Sequence, residues 1–439
     1  MQKKLTWLWI IFGLGAKLQI VASLSITEAM VLILAPCIFI KEYPFMRRNG
    51  VMPFFVLSLF VIFGCIVASI CNHTPMAYVV RGLAVTCLVS CAIVVSHWML
   101  RTDPTGFKWY VVFAAISMIL STFVLKQQVE VAMLGEDTED IMRGPLFWIK
   151  RLGGVIRTPI IGWYLRMPMA YIVTAPIFMA GFSLLSSTSG RGAMVQSAAF
   201  AAIAFIGGKK RRTMGRISQN FWKFCVFGLL FGSSMYFIYK QTASRGLLGE
   251  AARRKYELQT SGGQGGLGRL ILGGRSDSFI GLLACIDKPI IGWGPWAEDK
   301  NGYADEFIMK YGTYEDVQTM LVRQDWMVRH GIMERMLAVH SHITEFWAWY
   351  GIFGLVFILY IMLVLLRYLK QDIAAIPQWF AWLACSAPSF FWGIVFSPFT
   401  SRFGTPLFVV ACLMARAARK GTFKLPPEMV REIEKAERS

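Results

Sequence analysis

The sequence predicts an all-α fold, a polytopic helical membrane protein with about twelve transmembrane helices and a helical cap on one side. Of the 439 residues, 56% are hydrophobic and 16% are charged, and the mean hydropathy is +0.51. Soluble globular domains do not have this composition. Apolar runs of roughly 18 or more residues recur, each long enough to cross the hydrocarbon core as a helix. The net charge of +19 lies mainly in short loops. It therefore indicates membrane topology and argues against nucleic-acid binding, the competing interpretation of a pI near 9.7.

The apolar runs predict eleven spans. The basic start and the first apolar run resemble a signal peptide, but a second apolar run follows directly, which favours an uncleaved first span in a hairpin. The predicted spans cover residues 5–22, 25–40, 51–71, 77–99, 109–125, 167–186, 193–207, 219–239, 346–369, 378–396 and 403–418.

The basic clusters require a twelfth span. Lys3 and Lys4 at one terminus and Arg416 to Lys420 at the other both predict a cytoplasmic location, and this demands an even number of crossings. Counted inward from both termini, the sides predicted by the basic clusters and the number of apolar runs disagree only between residues 126 and 167. We expect the additional span, interrupted by Gly and Pro, within Pro145 to Pro176, where Arg151, Arg157 and Arg166 weaken the hydropathy signal.

This topology divides the chain into four parts. Residues 1–240 form the first half of the transmembrane bundle, 241–345 a large outer loop or cap, 346–420 the last transmembrane helices, and 421–439 a cytoplasmic tail. The outer loop carries 12 Lys and Arg against 13 Asp and Glu. That near-neutral balance suits a long translocated segment, and loops of this length are usually functional. The acidic segment 130–140 and the turn 186–192 are expected on the same side.

The segment His340 to Gly354 joins the outer loop to an apolar helix and begins with a histidine pair. Imidazole exchanges a proton near neutral pH, and a lipid-borne substrate presents its head group at this interface. A histidine here is also a common interfacial anchor. A metal pair formed by His340 and His342 is discounted, because residues two apart on a helix point in different directions.

Two arginines lie in turns rich in small residues on the same side. Arg191 lies in SGRGA, directly before a predicted span, and Arg275 lies in GGRSDS. A guanidinium on such a turn binds phosphate bidentately and stays charged. The alternatives are contact with lipid phosphates or an ion pair, for example between Arg275 and Asp277.

The run DKPIIGWGP at 287–295 predicts a turn, and its Trp293, like Trp296, suits either sugar stacking or the aromatic belt of the membrane. No nucleotide-binding loop, catalytic triad order or metal-spaced cluster is present in the sequence, so no cofactor or metal is implied. The nine cysteines lie mostly within apolar runs and form no CxxC pair, which predicts neither disulfides nor zinc.

Three elements in order resemble the O-antigen ligase and O-antigen polymerase superfamily of bacterial inner-membrane glycosyltransferases. The first is Arg191 in its small-residue turn. The second is Arg275 followed by P-I-I-G-W-G at 289–294. The third is His340, followed by glycines eleven and fourteen residues later, at Gly351 and Gly354. The chain departs from the family pattern at Ser341, where Asn is common, and in a compact stretch between Arg151 and Arg191.

The resemblance implies a multi-pass protein of the bacterial inner membrane whose site faces the periplasm. The donor would be a glycan linked to undecaprenyl diphosphate. Arg191 and Arg275 would hold the diphosphate, and His340 would accept a proton from the acceptor hydroxyl. Arg269, Trp293 and His342 are expected as further substrate-binding residues. No cofactor or metal would be needed, and membrane lipids surround the protein.

The resemblance allows two functions, which differ in the acceptor of the glycan. A ligase transfers the finished polysaccharide to the lipid A core, whereas a polymerase transfers the chain to a second lipid-linked repeat unit. We favour the ligase, since the second Arg-rich outer loop associated with polymerases is not evident. Lipid-linked glycosyltransferases with acidic metal ligands in the first outer loop do not fit, because that loop, about 23–27, has no acid. A transporter of an anionic or lipid-linked solute is a third reading, but no internal repeat is evident.

Overall fold

The computed structural model describes residues 5–120 apart from 17, 22 and 23, then 276–311, 341–372 and 402–431, with single positions within 237–245, 336–339 and 375–399. Three predicted spans (167–186, 193–207 and 219–239), the interrupted span and most of the outer loop lie outside the described residues.

The described part of the chain is helical, with one short hairpin. Its elements are α1 (Thr6–Gly15), β1 (Gln19–Val21), β2 (Leu24–Ser25), α2 (Ile26–Arg48), α3 (Met52–Cys71), α4 (Met76–Thr102), α5 (Phe107–Ile119), α6 (Ser276–Asp287), α7 (Tyr303–Tyr311), α8 (His342–Arg367), which continues as a π-helical turn over Tyr368–Asp372, and α9 (Gly404–Arg419).

Four of these helices are long and apolar enough to cross a bilayer: α2, α3, α4 and the segment His342–Asp372, which bends at Gly351. The shortest, α3, has 20 residues. At 1.5 Å per residue it is about 30 Å long, the thickness of a hydrocarbon core. The prediction of an all-α protein with apolar helices of membrane-spanning length is therefore confirmed for these segments.

The N-terminal hairpin differs from the predicted pair of spans at 5–22 and 25–40. The first helix, α1, has ten residues and is about 15 Å long, half of what a span requires. The chain then turns through β1 and β2, which pair antiparallel. Ser25 and Glu28 form a capping box that starts α2. Hydropathy alone did not detect this turn, because its residues are themselves largely apolar.

The second helix continues eight residues beyond its predicted end at 40, through four charged residues. One of these, Glu42, is buried and lies 2.9 Å from His97 Nδ1, and Arg101 Nε donates to it at 3.0 Å. Asn49 Nδ2 lies 3.0 Å from His97 Nε2. If Asn49 donates here, His97 is neutral and carries its proton on Nδ1, which points at Glu42. These hydrogen bonds link α2 to α4 and give the buried carboxylate of Glu42 its partners within the bundle.

The helices give the bundle two distinct ends. Phe353 of α8 packs against Phe60 and Phe63 of α3, whereas Phe357 packs against Phe54, so the two helices run antiparallel. The end that we call the basic end holds the termini of α2, α4 and α8, with Arg47, Arg48, Arg101 and Arg367.

The opposite end, called the loop end, holds the α3–α4 turn and the segment 288–296. Lys288 Nζ donates to Asn72 Oδ1 at 2.7 Å, and Asn72 Nδ2 donates to the carbonyl of Gly292 at 3.0 Å. The start of α8 lies at this end as well, because Trp293 N donates to the Ala348 carbonyl. The segment after α6 therefore lies at the end of the bundle away from the arginine-rich termini.

Candidate functional site

The histidine pair lies at the beginning of α8, and Ser341 between the two histidines is the N-cap. Ser341 is extended (φ −142°, ψ 152°), and its Oγ accepts the backbone N–H of Thr344 at 3.0 Å. This satisfies one of the free amides of the first turn. The helix begins at His342, so His340 precedes the cap. Because His340 lies outside the described residues, the argument that the two histidines point in different directions stays a prediction.

The ring of His342 is buried, with 8% of the residue exposed. It makes edge contacts with Phe399 and Phe390, at centroid distances of 5.2 and 6.4 Å. A Cβ added to Gly393 would lie 3.1 Å from His342 Cε1, so that glycine makes room for the imidazole. Aromatic packing thus fixes the position of this histidine.

A buried carboxylate, Glu345, lies one turn after His342 and was not among the predicted site residues. It is 7% exposed, and its Oε2 accepts the backbone N–H of Phe399 at 2.6 Å. Arg402 lies close enough to exert an electrostatic influence on this carboxylate and on the buried Tyr350. A carboxylate within an apolar helix is the sequence signal that could have identified Glu345.

The eighth helix breaks at Gly351, one of the two glycines in the predicted motif. Its backbone has φ 61° and ψ −145°, a conformation available essentially only to glycine. A Cβ at this position would overlap the Ile290 carbonyl. A Cβ on Gly354 would overlap the carbonyl of Phe346, and the rings of Phe346 and Phe357 stack at 5.5 Å. The two halves of α8 thus fold against each other at the bend.

The segment P-I-I-G-W-G docks directly on this bend. Ile352 N donates to the Ile290 carbonyl at 2.9 Å, and Trp293 N donates to the Ala348 carbonyl at 2.5 Å. Gly292 has φ 78°, and a Cβ there would lie 2.6 Å from Gly351 N. Two of the three elements that carry the family resemblance therefore meet through their glycines, which permit backbone to lie on backbone.

The side chain of Trp293 takes part in the fold of this segment. Its Nε1 donates to the Ala284 carbonyl at 2.8 Å, and Lys288 Nζ lies 3.9 Å from the ring centroid. Tyr303 meets the ring edge-on at 5.9 Å. These contacts hold Trp293 between α6 and α7 at the loop end.

Tyr303 also connects α7 to the end of α6. Its hydroxyl donates to Asp287, and Tyr303 N donates to Asp299 Oδ1 at 2.9 Å. Burial, the largest cause, and the neighbouring Asp287 raise the pKa of Tyr303 to about 12. The phenol therefore stays protonated at neutral pH and keeps donating this hydrogen bond.

The close contact between Gly351 and the Ile290 carbonyl predicts that a side chain at position 351 lowers the stability of the fold. We expect Gly351→Ala to lower the thermal unfolding midpoint, because the strained backbone alone costs about 1–3 kcal/mol and the Cβ would overlap Ile290. The control is Gly50→Ala: Gly50 also has positive φ, but no atom lies within 4 Å of an added Cβ. Equal shifts in the two variants, measured on detergent-purified protein, would contradict the docking described here.

The remaining predicted site residues, Arg191, Arg269, Arg275 and His340, lie outside the described residues. The described residues bring together His342, Glu345 and the region of Arg402, and separately the glycines of the two motifs. No protein-family model, curated protein or solved structure matches the chain. The resemblance to the O-antigen ligase and polymerase superfamily therefore rests on the motif residues and stays a prediction.

Proposed function

We propose that the protein is a metal-independent glycosyltransferase that moves a glycan from undecaprenyl diphosphate to a sugar hydroxyl at the periplasmic face of the bacterial inner membrane. We favour an O-antigen ligase, with the lipid A core as acceptor. The alternative is an O-antigen or exopolysaccharide polymerase, which uses the same donor and a second lipid-linked repeat unit as acceptor.

The observation that carries the proposal is the contact between 289–294 and Gly351. The two segments lie about sixty residues apart in sequence, and both match the spacing of the family pattern. Their contact at the loop end supports reading them as parts of one site. His340 lies outside the described residues, and its place in the site is part of the proposal. The arginine-rich termini at the opposite end support a cytoplasmic basic end and a periplasmic loop end.

The proposed reaction is a substitution at the anomeric carbon. The acceptor hydroxyl oxygen forms a new bond to that carbon, while the bond from the carbon to the diphosphate oxygen breaks. The diphosphate leaves with the electron pair, and Arg191 and Arg275 stabilise its growing charge. His340 takes the proton of the acceptor hydroxyl as general base. The base is assigned to His340 because its spacing to Gly351 and Gly354 follows the family pattern.

A second candidate function is transport of an anionic or lipid-linked solute, since buried ionisable residues such as Glu345 also occur along transport paths. The two functions differ in their product. Purified protein is incubated with a glycan-linked undecaprenyl diphosphate and either lipid A core or a second repeat unit, and the product is resolved by gel mobility. A ligase extends only the lipid A core, a polymerase only the repeat unit, and a transporter neither.

The topology predicts which positions react from outside. Gly262→Cys and Thr138→Cys should be labelled by a membrane-impermeant maleimide on intact spheroplasts, whereas Met214→Cys, next to the basic cluster 209–212, should not. The experiment uses a background with Cys71→Ser, because Cys71 is exposed at the loop end. Labelling of position 214 from outside would reverse the orientation and remove the proposed site from the periplasm.

A further inference from the structure

An exposed arginine on α4, Arg81, lies against an aromatic pair at the loop end. The guanidinium carbon of Arg81 lies 5.0 Å from the ring centroid of Trp296, and Trp296 packs on Trp349 at 4.6 Å. A cation over an indole face is attracted by the ring electrons. The indole thus holds one face of the guanidinium, and among the described residues none accepts a hydrogen bond from its N–H groups.

Gly82, the residue that follows Arg81, makes this arrangement possible. A Cβ on Gly82 would lie 2.6 Å from Pro295 Cγ, so glycine allows Pro295 to approach α4 closely. Trp296 then follows with a positive φ of 53°, which is costly for a large side chain. Backbone strain of this kind clusters at ligand-binding sites.

The depth of Arg81 matches that of lipid phosphates. The 27 residues of α4 make a helix about 40 Å long, about 10 Å longer than a hydrocarbon core of 30 Å. Arg81 comes five residues after the first residue of the helix, or about 7.5 Å along its axis. The neighbouring Met76 and Val80 are 74% and 58% exposed. The arginine therefore projects from an apolar, lipid-facing surface near the headgroup boundary.

We propose that Arg81 and Trp296 form a binding site for the phosphate group of an anionic phospholipid in the leaflet at the loop end. The guanidinium binds two phosphate oxygens through paired N–H groups, and the indole fixes its orientation. The acyl chains lie along the exposed surface around Val80. This site is independent of the glycosyltransferase function proposed above.

The test is photocrosslinking of the full-length protein in nanodiscs that contain phosphatidylglycerol and phosphatidylcholine. A benzophenone amino acid replaces Val80, and crosslinked lipids are identified by mass. The matched control replaces Leu363, which is 56% exposed and lies one turn before the exposed Arg367. We expect phosphatidylglycerol to be enriched about fivefold over its mole fraction at position 80, and clearly less at position 363.

Two variants test whether the enrichment of phosphatidylglycerol depends on Arg81 and Trp296. Arg81→Gln should abolish it, and Trp296→Leu should reduce it while keeping the charge. Equal enrichment at the two positions, or enrichment that survives Arg81→Gln, would overturn the proposal. Binding of inorganic diphosphate without any enrichment of phosphatidylglycerol at position 80 would also overturn it, since the ligand would then be a soluble phosphate compound.

Discussion

His340→Ala is expected to lower the rate of glycan transfer by about 10²–10⁴-fold, the usual effect of removing a positioned general base. Binding of the lipid-linked donor should persist, because the two arginines hold the diphosphate. The rate of the unsubstituted protein should also fall as the pH drops below the ordinary histidine pKa of about 6.5, since an imidazolium cannot accept a proton. Transfer is measured by gel mobility and donor binding by retention of the labelled lipid.

His342→Ala is the matched control, two residues along the chain. Its ring packs against Phe399 and Phe390, so its loss should affect stability more than transfer. We expect a lower thermal midpoint and a much smaller change in rate than for His340→Ala. Near-normal transfer by His340→Ala would leave catalysis to diphosphate stabilisation alone. An inactive His342→Ala beside a working His340→Ala would move the base to His342.

Arg191→Ala and Arg275→Ala are each expected to abolish transfer while the protein remains in the membrane at normal levels. Each change removes a permanent positive charge from the leaving diphosphate, where charge develops in the transition state. Arg191→Lys and Arg275→Lys should restore little activity, because an ammonium group is a point charge without the paired N–H groups of guanidinium.

The control for these arginines is Arg48→Gln at the exposed end of α2. It removes one positive charge at the basic end and should leave transfer unchanged. A fully active Arg191→Lys would indicate that Arg191 contacts lipid phosphates in general. Inactivity of Arg48→Gln would show that net charge, and not the site, controls the assay.

The sequence predicted the uninterrupted helices closely. The predicted spans 51–71 and 403–418 agree within one residue with α3 and α9, because apolar runs there end at polar or turn-forming residues. The boundaries of α2 were not predictable from hydropathy, since Glu42 is tolerated inside the helix only through its partners on α4. Those partners lie more than fifty residues away in sequence.

The candidate site was predictable in part. Spacing identified Gly351 and the segment 289–294 as related, but the physical reason, contact between two backbones, needed the structure. Glu345 was missed because its importance lies in its burial and its bond to Phe399. The roles of Arg191, Arg275 and His340 remain predictions from the family pattern.

The docking of 288–296 on both α4 and the bend of α8 has a consequence for biosynthesis. Pro295 meets Gly82, and Ile290 meets Ile352, so the segment joins parts of the chain that are synthesised 270 residues apart. At about 5–20 residues per second, roughly 15–50 s separate their emergence from the ribosome. During that interval the loop end of α3 and α4 lacks its contacts with Pro295 and with α8. The packing of this surface is therefore completed only after α8 has been synthesised.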